Sequence, residues 1–187
     1  MSAGTSPATT TFIRPDGREK VTGVGRYTAD LATTGMAHAR FRYADHPHAR
    51  VLRIDTARAR ALPGVVAVVT QKDLPEVRFG GLVQDRTLFA KDVVRFEGEI
   101  VAGVAALTEA IAAEAARLIE VEYEPLPVTT DFVAAMEPDA PLVHAAWASY
   151  DRDENMVSNG NTLGYHTIVK GDADAALAQA DVVVRSR

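Results

Sequence analysis

Five histidines, 25 acidic side chains and no cysteine bound the chemistry this 187-residue chain can attempt. Asp45, His46 and His48 come nearest to a metal-ligand spacing. Two histidines flanking Pro47 cannot share a helical face, and no third strong ligand follows, so a structural turn is expected rather than a tetrahedral zinc site. His38, His144 and His166 stand isolated. A general base also needs an orienting partner, so each reads as a surface or hydrogen-bonded histidine. The lack of cysteine removes disulfides, thiolate zinc sites, cysteine nucleophiles and iron–sulfur ligation from this polypeptide, and it fits a reducing cytoplasm.

Glu97, Glu99, Glu120, Glu122 and Glu124 suggest paired carboxylates at first sight. Period-two spacing instead puts Glu120, Glu122 and Glu124 on one face of a strand, opposite Ile119, Val121 and Tyr123, so a solvated face is expected for the acidic set. Gly23-Val24-Gly25 and Gly80-Gly81 lack the third glycine and the following helix of a dinucleotide-binding turn. Ser149, Ser158 and Ser186 sit in no nucleophile elbow. Arg14, Arg18, Lys20 and Arg26 could meet an anionic cofactor or partner, but surface ion pairs worth about 0–1 kcal/mol each are the commoner use. Trp147 and Tyr150 fall in an irregular stretch, where they serve either as interface anchors or as local packing.

The elements that would position these groups are punctuated by Gly and Pro. Arg14-Pro15-Asp16-Gly17 reads as a turn. Arg26–Asp30 reads as a short strand or extended lead-in, Met36–Tyr43 and Val51–Ile54 as strands. Asp55 or Thr56 caps a short helix over Ala57–Leu62, ended by Pro63-Gly64, and the β-branched run Val65–Val69 predicts a buried strand. Residues 76–92 read as a long loop of the kind that carries function. Glu99–Ala106, Thr108–Leu118 and Ile119–Tyr123 predict strand, helix and strand, with Thr108 as cap and Ile111, Ala115 and Leu118 forming an apolar stripe. Asp131 caps a short helix reaching Met136. The Pro-, Asp-, Asn- and Gly-rich stretch 137–164 predicts an excursion over a surface, either this chain's or a partner's. Strand, helix and strand are expected again at Tyr165–Lys170, Asp172–Ala180 and Val182–Val184, the last needing neighbours from elsewhere. Residues 1–13, small and polar, read as a flexible tail without the features of a secretory signal.

Composition narrows the function classes. At 47% hydrophobic and 24% charged residues, with a net charge of −5, the chain has the make-up of a globular protein. No apolar run approaches the roughly 20 residues of a membrane-spanning helix. The basic residues are scattered singly, which argues against nucleic acid.

The ordered set of segments resembles a known family. Gly25-Arg26-Tyr27-Thr28-Ala29-Asp30, His48-Ala49-Arg50 leading to Ile54-Asp55, and Ala61-Leu62-Pro63-Gly64-Val65 resemble the start of the large, molybdopterin-binding subunit of the xanthine dehydrogenase and aldehyde oxidase family. The likeness continues through Leu88-Phe89-Ala90-Lys91-Asp92-Val93, Gly98-Glu99 with Val101-Ala102, Val121–Pro127, Lys170-Gly171-Asp172 and Ala180–Val183. It covers nearly all the chain after the tail.

The resemblance implies an α+β fold: an a/b hammerhead domain over 14–136, then an extended segment over 137–187 whose terminal helix and strand pack on a partner. It implies a heteromeric molybdenum hydroxylase that inserts water-derived oxygen at a carbon centre. This chain alone is expected to bind no cofactor or metal and to supply no catalytic residue, since it stops before the family's pterin and metal region. The complex is expected to contain the molybdopterin cofactor, 2Fe-2S clusters and FAD on a molybdopterin-binding subunit, an iron–sulfur subunit and an FAD subunit, in the cytoplasm. One site transfers: the loop before Phe89-Ala90-Lys91-Asp92 borders the family's substrate funnel, which makes Leu82 and Val83 its apolar lining. Two rivals stay open: a non-catalytic interaction or assembly module of the same fold, and a small-molecule-binding domain using the loop at Leu82.

Overall fold

The computed structural model describes residues 14–153, 156, 159–165 and 167–186, so the expected tail at 1–13, Ser158 and His166 lie outside the described residues. The chain divides into two compact units, Met1–Met36 and Ala37–Arg187. In the first, the expected turn forms, Gly17 N–H donating to the Arg14 carbonyl at 3.0 Å. It runs on into a helix that the turn signal alone does not announce, α1 (Gly17–Thr22). Asp16 organises it: the carboxylate pairs with Arg14 at 2.6 Å and with Lys20, one turn on, at 3.0 Å, and these two cations hold its pKa below the usual carboxylate value. Arg14 and Lys20 thus spend their charge locally. Arg26–Asp30 is not a strand. It tightens into a 3-10 turn over Thr28–Asp30 because the Asp30 carboxylate accepts the Tyr27 N–H at 2.9 Å.

Among its described residues the second unit holds six strands, β1 (His38–Tyr43), β2 (Ala49–Asp55), β3 (Val65–Thr70), β4 (Val93–Val94), β5 (Ile100–Ala106) and β6 (Glu120–Pro125), with helices α2 (Ala57–Ala61), α3 (Glu109–Arg117) and α4 (Ala173–Ala178). They form two antiparallel three-stranded sheets, in orders β1-β5-β3 and β4-β2-β6. The expected strand, helix, strand run is β5, α3, β6, but its two strands join different sheets. Their sequences explain the split. β5, Ile-Val-Ala-Gly-Val-Ala-Ala, is apolar throughout and takes the centre of its sheet, whereas β6 alternates glutamates with Val121 and Tyr123 and takes an edge. Glu120 and Glu124 lie on its exposed side, ion-paired to Arg58 at 2.9 Å and Arg50 at 3.0 Å.

Thr108 caps α3 as expected, its hydroxyl accepting the Ile111 N–H at 3.2 Å. The helix buries Ala112, Ala115 and Ala116, with Leu118 packed half-buried against the same cluster, so the apolar face holds Ala115 and Leu118 as expected and is widened by two further alanines. Alanines let the helix lie close to Val68, Ala102 and Val104 of the first sheet. A second cluster joins Ala44, Ala49, Ala90, Val94 and Val101, and Ile54 and Val121 touch both clusters, forming the seam between the sheets.

Several expectations fail for lack of a neighbour. β3 is half-buried rather than buried because it is an edge strand, and Val66, at its bulge, is 61% exposed. Tyr165, 167–170 and Val182–Val184 take no strand pairing, and Ile168, Val169 and Val182–Val184 lie exposed. Between them α4 forms with Asp172 as its cap, the carboxylate accepting the Ala175 N–H at 2.9 Å. Asp131 likewise accepts the N–H groups of Val133 and Ala134, at 2.7 and 3.1 Å, ahead of a 3-10 turn at Ala134–Met136.

Candidate functional site

The loop at 76–92 is more ordered than its composition suggests. Phe79 and Arg86 exchange backbone hydrogen bonds of 3.0 and 3.1 Å, closing residues 79–86 into a narrow tip, and a Cβ on Gly80 would collide with the Val83 carbonyl. The base of the loop is tied to the first sheet through buried Gln71, whose side-chain oxygen accepts the Phe89 N–H at 3.1 Å. Lys91 and Glu76 pair across it.

Leu82 and Val83, expected as apolar lining of a funnel mouth, differ in exposure. Leu82 is 56% exposed at the tip, and Val83 is 8% exposed and turned into the protein. The cause is the excursion at 137–164, which lies across this chain's own loop. Gln84 N–H donates to the Asp151 carbonyl at 2.8 Å and Asp153 N–H to the Leu82 carbonyl at 3.0 Å, a short antiparallel bridge centred on Val83 and Arg152.

Between loop and excursion lies a cavity of about 310 Å³ lined by Val83, Asp85, Val143, His144, Trp147 and Tyr150, among others. Asp85, Val143 and His144 also line a neighbouring cavity of about 490 Å³ that reaches Arg95 and Glu99. His144 is not isolated: its Nδ1 lies 3.1 Å from the Tyr150 hydroxyl, and the rings meet edge to face at 88°. Burial, and after it the charge of Arg95, pushes the His144 pKa below its ordinary value. Asn161 closes the far wall, accepting the Val143 N–H at 2.9 Å and donating to the Ala135 and Pro141 carbonyls at 3.1 and 3.0 Å.

The other singled-out residues do not converge. His46 Nδ1 lies 2.9 Å from Asp45, and that bond is the main reason the Asp45 pKa is lowered; buried His48 bonds the Pro127 carbonyl at 2.6 Å. They point to different partners, and no three His, Cys, Asp or Glu side chains gather among the described residues. His38 sits half-buried on β1, and Ser149 bonds the Ala146 carbonyl at 2.8 Å. Glu99 departs from the solvated reading: it accepts the Arg95 N–H at 2.6 Å, and burial raises its pKa. Tyr150, 6% exposed, is local packing, whereas Trp147 remains at the cavity edge. The pairing of His144 with Tyr150, and of Arg78 with the Tyr150 ring, was missed because both join residues of irregular segments, where no periodicity marks contact.

The first cavity suits recognition of an apolar group. Its walls are mostly apolar, burial favours the neutral form of its histidine, and Asp85 is the carboxylate among its described lining residues. Having no cysteine, the chain has no thiolate set for an iron–sulfur cluster. Among the described residues no helix is long and apolar enough to cross a membrane.

Comparison with known proteins agrees with this architecture. Residues 22–127 match the family model described as aldehyde oxidase and xanthine dehydrogenase, a/b hammerhead domain. The chain is 37% identical over 172 residues to a probable xanthine dehydrogenase subunit of Bacillus subtilis, covering 91% of this chain and 21% of that protein. It is 38% identical over 174 residues to the carbon monoxide dehydrogenase large chain of Afipia carboxidovorans, covering 86% of this chain and 21% of the relative. Among solved structures, a Cu,Mo-CO dehydrogenase superposes with a TM-score of 0.67 at 35% identity, over 91% of this chain and 22% of the other. The chain thus spans about a fifth of the length of these relatives. The two-sheet α+β unit and the match across it place the chain in the aldehyde oxidase and xanthine dehydrogenase family, of whose proteins it carries the a/b hammerhead domain.

Proposed function

We infer that this chain acts as the hammerhead portion of a heteromeric molybdenum hydroxylase, lying against the molybdopterin-bearing subunit and shaping substrate access for water-dependent hydroxylation of a carbon centre. The observation that carries this reading is the clasped 79–86 tip, which holds an apolar side chain, Leu82, out toward solvent on a braced support. In this reading Leu82 lines the channel mouth and Val83 supports it from behind. The catalytic residues, the 2Fe-2S clusters and the FAD belong to companion subunits or regions, in keeping with a chain that has no thiolate to offer.

A second feature favours a companion over a free-standing module. On the first sheet, Phe41 and Tyr43 lie ring to ring at 6.2 Å, and Phe41 and Phe89 both lie over Gly103. Phe41 and Tyr43 are exposed, so a run of aromatic surface is left open, as expected of a face covered in an assembly.

The test is affinity purification of the chain from its native cells, with metal analysis and identification of what co-purifies. A molybdenum-containing companion is expected. A monodisperse monomer free of companions would refute the assignment and leave the free-standing module.

A further inference from the structure

We propose that Tyr150 is the positioning residue that sets the place of the 79–86 tip, and with it the direction in which Leu82 is presented. The proposal rests on the substrate-access role for its functional meaning, but its geometry is independent of any companion. Three contacts converge on Tyr150 or its immediate neighbours. The Arg78 guanidinium, at the stem of the loop, lies 4.7 Å from the centroid of the Tyr150 ring. The Tyr150 hydroxyl meets His144 at 3.1 Å, fixing the ring from its other end. Directly after Tyr150, Asp151 and Asp153 make the two backbone bonds to Gln84 and Leu82.

The loop is therefore held at stem and tip by the stretch 150–153. That stretch is itself braced: Arg152 donates to the Trp147 carbonyl at 2.5 Å and to the Tyr150 carbonyl at 3.3 Å, with its guanidinium 5.6 Å from the Trp147 ring centroid. The tip makes no strand pairing other than Phe79 with Arg86 and Val83 with Arg152 among the described residues. Loop segments open locally at lower free energy than core strands, so weakening one of these contacts raises the opening rate of the clasp. The buried ring is the part that matters. It walls the same cavity as Val83 and carries the Arg78 contact, whereas the hydroxyl serves to orient it.

The proposal makes Tyr150→Phe a rescuing variant and Tyr150→Ala a releasing one. Hydrogen exchange on the full chain reads the Gln84 and Asp153 amides, which donate across the clasp, with the Val104 amide of β5 as the core control. In Tyr150→Ala the two clasp amides are expected to exchange about tenfold faster or more, while in Tyr150→Phe they stay within about threefold of the parent. Trp147, the one tryptophan in the sequence, should become more accessible to acrylamide in the alanine variant alone. If Tyr150→Ala also frees Val104, the fold has been lost, and exposed Arg78→Ala decides instead, with about threefold faster exchange at Gln84 expected. Clasp amides unchanged in both Tyr150→Ala and Arg78→Ala, or a phenylalanine variant as loose as the alanine one, would overturn the proposal. Loss of the molybdenum companion in purification would sink the access role yet leave these exchange rates as they are, so the two failures are distinguishable.

Discussion

Gly64 and Gly98 offer a controlled measurement of how tightly α3 is packed. Both have positive φ, 88° and 93°, so an alanine at either position strains the backbone by about 1–2 kcal/mol. Their surroundings differ. A Cβ at Gly98 meets nothing within 4 Å, whereas one at Gly64 would lie 2.8 Å from Ile111 Cδ1 on α3. Gly64 cannot readily retreat, because its carbonyl accepts the Leu107 N–H at 2.9 Å. The colliding atom is the far end of a half-buried side chain that can turn aside, so the clash adds about 1 kcal/mol, the low end of overpacking costs. Gly98→Ala should therefore cost about 1–2 kcal/mol and Gly64→Ala about 2–3 kcal/mol, from the sum of the two effects. Ile111→Val deletes the colliding methyl at its own cost of about 0.5–1.5 kcal/mol, and the next Ile111 atom, Cγ2, is at 3.7 Å, an ordinary contact. The double variant should thus cost less than the sum of its parts by about 1 kcal/mol. Urea unfolding at equilibrium gives all four free energies. Equal costs at Gly64 and Gly98, or strict additivity with Ile111→Val, would refute the close approach of α3 to the Gly64 turn.

Two further outcomes follow from single residues. Thr108→Ala removes the oxygen that accepts the Ile111 N–H and should cost about 0.5–2 kcal/mol, whereas Thr108→Ser should restore most of it; urea midpoints check both. His144 carries a pH signature. Its folded pKa lies below the unfolded value of 6.5 because burial, then Arg95, disfavours the cation. The stability it contributes is fully present above 6.5 and is lost as pH falls through the folded value. Half-buried Glu99 runs the other way: its folded pKa lies above 4.5, so its contribution is present below 4.5 and lost as pH rises through the folded value. The comparison that isolates the histidine is parent against His144→Gln in thermal melts from pH 7 to 5. The parent should lose more stability on acidification than the variant. Parallel curves would mean that His144 titrates as it does in the unfolded chain.

What the residues revealed and what they hid divides along one physical line. Elements whose order is set by local rules could be read directly: Thr108 at its cap, the helix beginning at Asp172, Pro63-Gly64 ending α2, and the acidic face of β6 beside Val121 and Tyr123. Elements set by their neighbours could not. The β-branched composition of Val65–Val69 and Val182–Val184 is alike, yet the first pairs with β5 and the second lies exposed and unpaired. Composition states a willingness to pair, and only the partner turns it into a strand. The same limit governs the candidate site. The ordered family segments singled out the loop at Leu82 and Val83, but nothing along the chain could divide the two residues into tip and anchor. That division comes from Asp151 and Asp153, about 70 positions later, whose backbone groups meet Gln84 and Leu82. A contact made by irregular backbone leaves no periodic trace in side-chain type. The excursion at 137–164, legible in composition only as a lack of order, therefore supplies the support that gives the loop its shape.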